Sequence, residues 1–296
     1  MTTSAQLDDQ LVAEPVTAAS RFDLPRWREL RPGLTLAVAF LALLLAAVLA
    51  PGLLAPHDPL AVDPARSFLA PGGDHLLGTD ESGRDVLSRM IHGARLSLMI
   101  GISATVIAVA GGTLLGLLAG LSHRIFEAAV MRFIDVALAV PELLLALVVI
   151  TLLGGGTQNA IWALGIGGIP YYARMVRAQA HVVRRATYVE AATALGLPRW
   201  RVIVRHILPN SIKPVLILAT IGVGAAIGAG ASLSFLGLGA APPSPEWGAT
   251  LSVGRNFISN APWLVVVPAV TLTLTVVSIT VVGRELRRRS EGRTGR

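Results

Sequence analysis

The stretch YVEAATALGLPRWRVIVRHILPN, Tyr188 to Asn210, decides how this chain is read. Its first half, Val189 to Leu195, is rich in Ala and Leu and reads as helix. Gly196 suits the position just past a helix end, because it takes φ > 0 without a Cβ clash. Pro198 can open a second helix, through Trp200, Val202, Ile203 and Ile207. Pro209 and Pro214 are expected to close it. The expectation is a short helix, a sharp turn and a second short helix, set between two long apolar runs on the face of a membrane protein.

Working outward, composition agrees with a membrane setting. Of 296 residues, 53% are hydrophobic, and the mean hydropathy is +0.65. Runs of about twenty apolar residues mark a multi-spanning protein. There is no cysteine, hence no disulfide, thiolate metal site or Cys nucleophile. The formal net charge is +7, but the arginines lie in blocks beside apolar spans, which suits an anionic cytoplasmic leaflet. Aromatic platforms for bases are lacking, so nucleic acid is not an expected partner. The single lysine, Lys213, follows Asn210-Ser211-Ile212. A P-loop needs Gly-Lys-Ser/Thr after a Gly-rich turn. An ATP site, if one drives this protein, belongs to another polypeptide.

In chain order, residues 1–32 read as a polar leader, with an interfacial segment around Phe22 to Leu30. Leu34 to Leu54 is the first span. A cleaved signal peptide is its alternative, against which the long leader counts. Residues 56–94 form a polar external loop. Arg95 to Leu121 is the second span, with small residues that let helices approach closely. Val130 to Leu153, broken at Pro141, is the third, and Gly154-Gly155-Gly156 a tight turn. Ala160 to Arg174 is a short fourth span whose helix continues into water. The loop 174–211 follows, then Ile212 to Ser232 as the fifth span. An external segment at 233–261 includes a re-entrant or interfacial helix within Ser234 to Trp247, with Trp247 and Trp263 at headgroup level. Pro262 to Val282 is the sixth span, and residues 284–296 a basic tail. A transmembrane domain thus runs over 33–283.

Basic residues set the orientation. The leader, the Arg124–Arg132 loop, the stretch from Arg174 to Lys213 and the tail hold 20 of the 25; Arg66, Arg84, Arg89, Arg95 and Arg255 are the rest. Both termini and the Glu190 loop are therefore expected in the cytoplasm, which six spans satisfy and five or seven do not.

Glu190-Ala191-Ala192, then Gly196, then Leu208-Pro209 resembles the EAA loop of ABC-importer permease subunits, which docks into a groove on a cytoplasmic ATPase. An amphipathic interfacial hairpin without a partner is the alternative. HLLGTDESGRDVLSRMIHGARLS, His75 to Ser97, resembles the dipeptide/oligopeptide/nickel permeases of the C-subunit type. So do YARMVR from Tyr172, LSFLGLG from Leu233, Pro242-Pro243 and Trp247-Gly248. The resemblance covers residue 36 to about 287. It implies a type I importer fold: all-α, six membrane helices and an amphipathic cytoplasmic helix pair. It implies a second homologous permease subunit, two ATPase subunits that bind the ATP and Mg, and an extracytoplasmic substrate-binding protein. The tail departs from the family pattern: Gly283-Arg284-Glu285-Leu286-Arg287-Arg288-Arg289 stands where acidic positions are usual.

Glu190 is the expected coupling residue. A carboxylate near a helix start is favoured by the dipole and can take a charge-assisted bond from a partner. Ala191 and Ala192 are small enough to let the helix sit low in a groove. Gly196 makes the turn. Leu195, Leu197 and Trp200 supply apolar contacts, to partner or membrane. His75, Asp80, Glu81 and Asp85 have metal-ligand chemistry. The reading preferred here is structural: Asp80 and Asp85 pair with Arg84 and Arg89, or cap a helix beginning near Val86. No metal and no catalytic residue is assigned to this chain. Asp135 is expected to pair with Arg132 or another arginine. Glu142, past the Pro141 break, reads either as a buried hydrogen-bonded carboxyl or as a group bordering a translocation path.

The function expected is a non-catalytic permease subunit of an ATP-driven importer in a bacterial inner membrane, for di- or oligopeptides. Nickel or another small solute is the rival cargo. An ATP-independent channel or membrane-embedded hydrolase is the rival of a different class.

Overall fold

The computed structural model describes residues 32–290 and 292. The leader, its Phe22 to Leu30 segment and most of the tail beyond Ser290 lie outside the described residues. Within them the chain is helical, with two isolated β-bridges and no strand.

Helix α1, Pro32–Leu49, is followed by a single turn α2, Pro51–Leu54. A loop leads to α3, Val86–Leu121. At 1.5 Å per residue, α3 is about 54 Å long and overruns a bilayer core of ~30 Å. Its N-terminal turns, with Arg89, His92 and Arg95, belong to the cap of loops built around them. Helices α4, Arg124–Ala139, and α5, Glu142–Leu153, meet at 95°. The cause is Pro141, which drives the preceding Val140 into extended backbone. The expected third span is therefore a corner rather than a kinked rod.

Helix α6, Thr157–Arg184, continues well past Arg174 as expected. Gly112 and Gly116 of α3 face it with nothing to hold the backbones apart: a Cβ on Gly116 would stand 2.6 Å from the Ala173 carbonyl. A second attachment to α6 is ionic. Glu127 of α4 accepts from Arg177 Nε at 2.7 Å and lies 2.7 Å from His181 Nε2. Asp135, two turns on, pairs with Arg174. The partner expected for Asp135 was Arg132 or another arginine; it is one across the helix interface.

Four helices are long and apolar enough to cross a membrane, and the α4–α5 pair would make a fifth if it were one span. The fourth expected span, α6, falls short of that measure because Arg174, Arg177, His181 and Arg184 make its second half polar. The six expected spans are not reached by length and composition alone.

The largest departure follows Pro198. Helix α8, Arg199–Val202, runs through a π turn, Ile203–Ile207, directly into α9, Leu208–Phe235. Pro209 and Pro214 do not close anything. In a regular helix Pro209 would lack a bond and press its ring on the carbonyl four residues back. The wider turn, in which Leu208 N–H reaches the Ile203 carbonyl, absorbs the mismatch.

The expected helix between Ser234 and Trp247 lies instead after it, as α10, Trp247–Gly254. Its N-cap is Glu246, a buried carboxylate that accepts from Gly248 and Ala249 N–H at 2.9 and 2.7 Å and from Ser97 Oγ at 3.1 Å. Trp247 does not present its ring at the surface. It is 0% exposed, and its Nε1 donates to the Met90 carbonyl at 2.9 Å. Trp263 Nε1 donates to the Thr79 carbonyl. The first indole pins α10 to α3, and the second pins the start of the last helix to the loop before α3. The last helix, α11, Trp263–Ser290, carries the first arginines of the tail, where Arg288 and Arg289 pair with Glu285.

Candidate functional site: a helical corner and an interior cavity

The corner forms as local chemistry dictates. Helix α7, Thr187–Ala194, ends in Gly196 at φ +80°. Gly196 N–H bonds the Thr193 carbonyl and Leu197 N–H the Ala192 carbonyl, the two bonds of a Schellman end. Pro198 then caps α8 with extended backbone. A small apolar core holds the corner: Val183 and Ala180 of α6, Val189 of α7, Val202 and Ile207, with Leu197 packed against them. Arg199 donates to the Leu121 carbonyl at 2.7 Å, placing a cation on the C-terminal end of α3.

The seven expected coupling residues divide on this mount. Glu190 and Ala191 are exposed, and Glu190 has no ion pair among the described residues. Leu195 is 81% and Trp200 62% exposed, with the Arg201 guanidinium over the indole. A Cβ on Gly196 would meet nothing within 4 Å. Leu197 turns inward, so it belongs to the corner's own core. Ala192, at 8% exposed, is buried against the chain itself. Its small size therefore serves internal packing; only Ala191 of the alanine pair is at the surface.

Glu142 opens α5 and lines a cavity of about 250 Å³ between α3, α5, α6 and α9. Tyr171 and Tyr172 stand on the α6 wall; Leu218, Ile221, Gly222 and Ala225 form the α9 wall. Gly222 leaves the space that the Tyr172 hydroxyl fills. The lining is apolar apart from one carboxylate, one threonine and two phenols, the usual make-up of a site with a few orienting polar groups. In the sequence Tyr172 stands out only as part of the YARMVR stretch. Its position and that of Tyr171 depend on how α6 and α9 cross.

The four residues weighed for a metal separate into two groups. Asp80 accepts from Arg84 Nε at 2.7 Å and lies 3.5 Å from Arg89 Nε, while Glu81 takes Arg84 Nη2. Asp85 caps α3 through Ser88 N–H at 2.8 Å. Its partner is not an arginine but His75, whose Nδ1 is 2.9 Å away.

A bundle of helices long and apolar enough to cross a membrane, broken by one polar corner, has the make-up of a multi-pass membrane protein. Residues 112–294 match the family described as binding-protein-dependent transport system inner membrane component. The chain is 40% identical over 255 residues to the dipeptide transport system permease protein DppC of Alkalihalophilus pseudofirmus, covering 86% of this chain and 83% of that one. It is 41% identical over 217 residues to a glutathione transport system permease protein of Pectobacterium atrosepticum, covering 73% and 72%. An inward-facing structure of the MetNI methionine ABC transporter superposes with a TM-score of 0.56 at 21% identity, over 68% of this chain and 95% of that one. The chain belongs to the binding-protein-dependent transport system inner membrane component family. It is an inner-membrane permease subunit that works with ATPase and substrate-binding components.

Proposed function

We propose that this subunit forms half of a path for di- or oligopeptides, driven by an ATPase that grips the α7–α8 corner. The cargo follows the relatives, which are named for dipeptides and glutathione. The chain performs no chemistry; ATP and Mg sit in two ATPase subunits. A second, homologous permease completes the path, and a binding protein delivers cargo from outside. Both termini and the corner face the cytoplasm, with α6 and the α4–α5 pair completing six spans.

One observation carries the mechanism. The corner and the cavity share an unbroken helix. From Arg199 to Phe235 the helix is continuous; it carries Trp200 in its first turn and presents Gly222 and Ala225 to the cavity. Closing of the ATPase dimer tilts the corner, and from Trp200 onward the tilt reaches the cavity wall without crossing a loop. Two states differ in contacts at both ends, which is what a switch requires.

The test is uptake in a strain lacking this subunit, complemented in trans. Labelled dipeptide should enter and labelled nickel should not. Nickel uptake without peptide uptake overturns the cargo; uptake of either without the ATPase overturns the class. Within the cavity, Glu142→Gln at matched expression should lower peptide uptake by roughly tenfold, the scale of one charge-assisted bond. Unchanged kinetics would remove Glu142 from the path.

A further inference from the structure

We propose that His57, His75 and Asp85 bind a divalent transition-metal ion, with zinc as the best-fitting occupant. Each offers one ligand atom, and the three atoms lie within 4.8 Å of one another. They come from three places: the turn after α2, the loop before α3 and the N-cap of α3. His75 Nδ1 is 2.9 Å and His57 Nδ1 3.8 Å from the same oxygen, Asp85 Oδ1. Adjacent ligands on one zinc ion, at bonds of about 2.0–2.2 Å, stand about 3–3.5 Å apart. The two distances to Asp85 Oδ1 bracket that edge; the ligand nitrogens of the two imidazoles lie within 4.8 Å of each other, so the half-exposed His57 ring would move in by about an ångström to close the site.

Hydrogen bonding alone leaves the cluster incomplete. A proton on His75 Nδ1 would satisfy one contact to Asp85. His57 Nδ1 and His75 Nε2 are both buried and without a hydrogen-bond partner. The His75 side chain is only 9% exposed. Unpaired buried nitrogens are costly, and an ion among the Nδ1 atoms and Oδ1 gives His57 Nδ1 a partner. The carboxylate is already oriented for it. Asp85 Oδ2 takes Ser88 N–H at 2.8 Å and Ser88 Oγ at 2.7 Å, which leaves Oδ1 for the ion. Ser88 Oγ also receives His57 N–H at 3.1 Å, fixing the backbone of one ligand to the element that carries another. Such outer contacts set ligand direction.

Two imidazoles and one carboxylate suit zinc, and by the same donors cobalt or nickel; calcium and magnesium require more oxygens. The His57 side chain is 37% exposed, so solvent can reach the site and a water can complete four-coordination. The ion would clamp the turn at Pro56-His57 to the start of α3, an anchoring role independent of which cargo the subunit passes.

The test uses the assembled transporter, stripped with chelator and titrated with ZnCl2 and, separately, CoCl2. Expected are one zinc per copy of this chain by calorimetry, a raised melting temperature, and visible cobalt bands of a four-coordinate N,O site. His57→Gln and His75→Gln should each weaken zinc at least ~10-fold, the lower end of what even an outer-sphere change costs. His92→Gln, on the neighbouring turn of α3 but outside the cluster, should bind as the parent does. No zinc-dependent rise in melting temperature in the parent, or equal binding in the parent and both ligand variants, overturns the site. His57 is half-exposed, so its variant is expected to fold and the comparison stands even if His75→Gln does not.

Discussion

Glu190→Arg should stop ATP-driven uptake while the subunit still reaches the membrane at parental level. Glu190 is exposed on a helix held by an apolar core beneath it, so charge reversal leaves Val189, Val202 and Ile207 undisturbed. What changes is the surface offered to a partner. Losing a desolvated charge pair costs about 2–5 kcal/mol at an interface, or roughly 30-fold and more in affinity. Reversal adds repulsion to that loss. The measurement is co-purification of the ATPase with this subunit, alongside transport. Parental yield of ATPase with the arginine in place would remove the corner from the coupling surface. Trp200→Ala should weaken the same association, since an exposed indole at such a corner is the kind of anchor that interfaces use.

Arg89→Met should produce the largest loss of stability. Its guanidinium is buried and donates to three carbonyls from two distant loops: Pro59 at 3.3 Å, Pro243 at 3.2 Å and Ser244 at 3.2 Å. It also lies beside Asp80, which is itself 3% exposed. At ~1 kcal/mol for each hydrogen bond lost from this buried guanidinium, the loss is on the order of 3 kcal/mol. Asp80 keeps Arg84 and so is not stranded. The readout is thermal unfolding in detergent together with proteolysis of the loops around Pro59 and Pro243. Arg89→Lys should recover part of the loss, because an ammonium can reach some but not all three acceptors. A melting temperature within a degree of the parent would mean that these loops are held by something else.

Much of the bundle was legible because apolar runs and Gly, Pro and Schellman-type signals are local. The end of α7 at Gly196 and the break at Pro141 rest on backbone rules that need no partner. The failures have a common cause. Pro209 and Pro214 read as terminators, yet a π turn accommodated the first and the helix continued through the second. Trp247 read as an interfacial anchor because sequence shows an indole but not the Met90 carbonyl waiting for it. Ala192 and Ala191 are adjacent and chemically identical; only the helical phase of α7 separates an inward from an outward methyl. That His57 lies beside His75 was not legible, since the seventeen residues between them, broken only by one short 3-10 turn, carry no periodicity to say that the two rings meet.

The single helix shared by corner and cavity has a bearing on how the machine is governed. An occupant pressed against Gly222 and Ala225 loads the same rod that a motor would push from Trp200. Linkage is symmetric for binding free energies: if nucleotide state alters the grip on cargo, cargo must alter the grip on nucleotide by the same factor. A loose connection at Pro209 would have let the two ends ignore each other; the widened turn there keeps them answerable to one another.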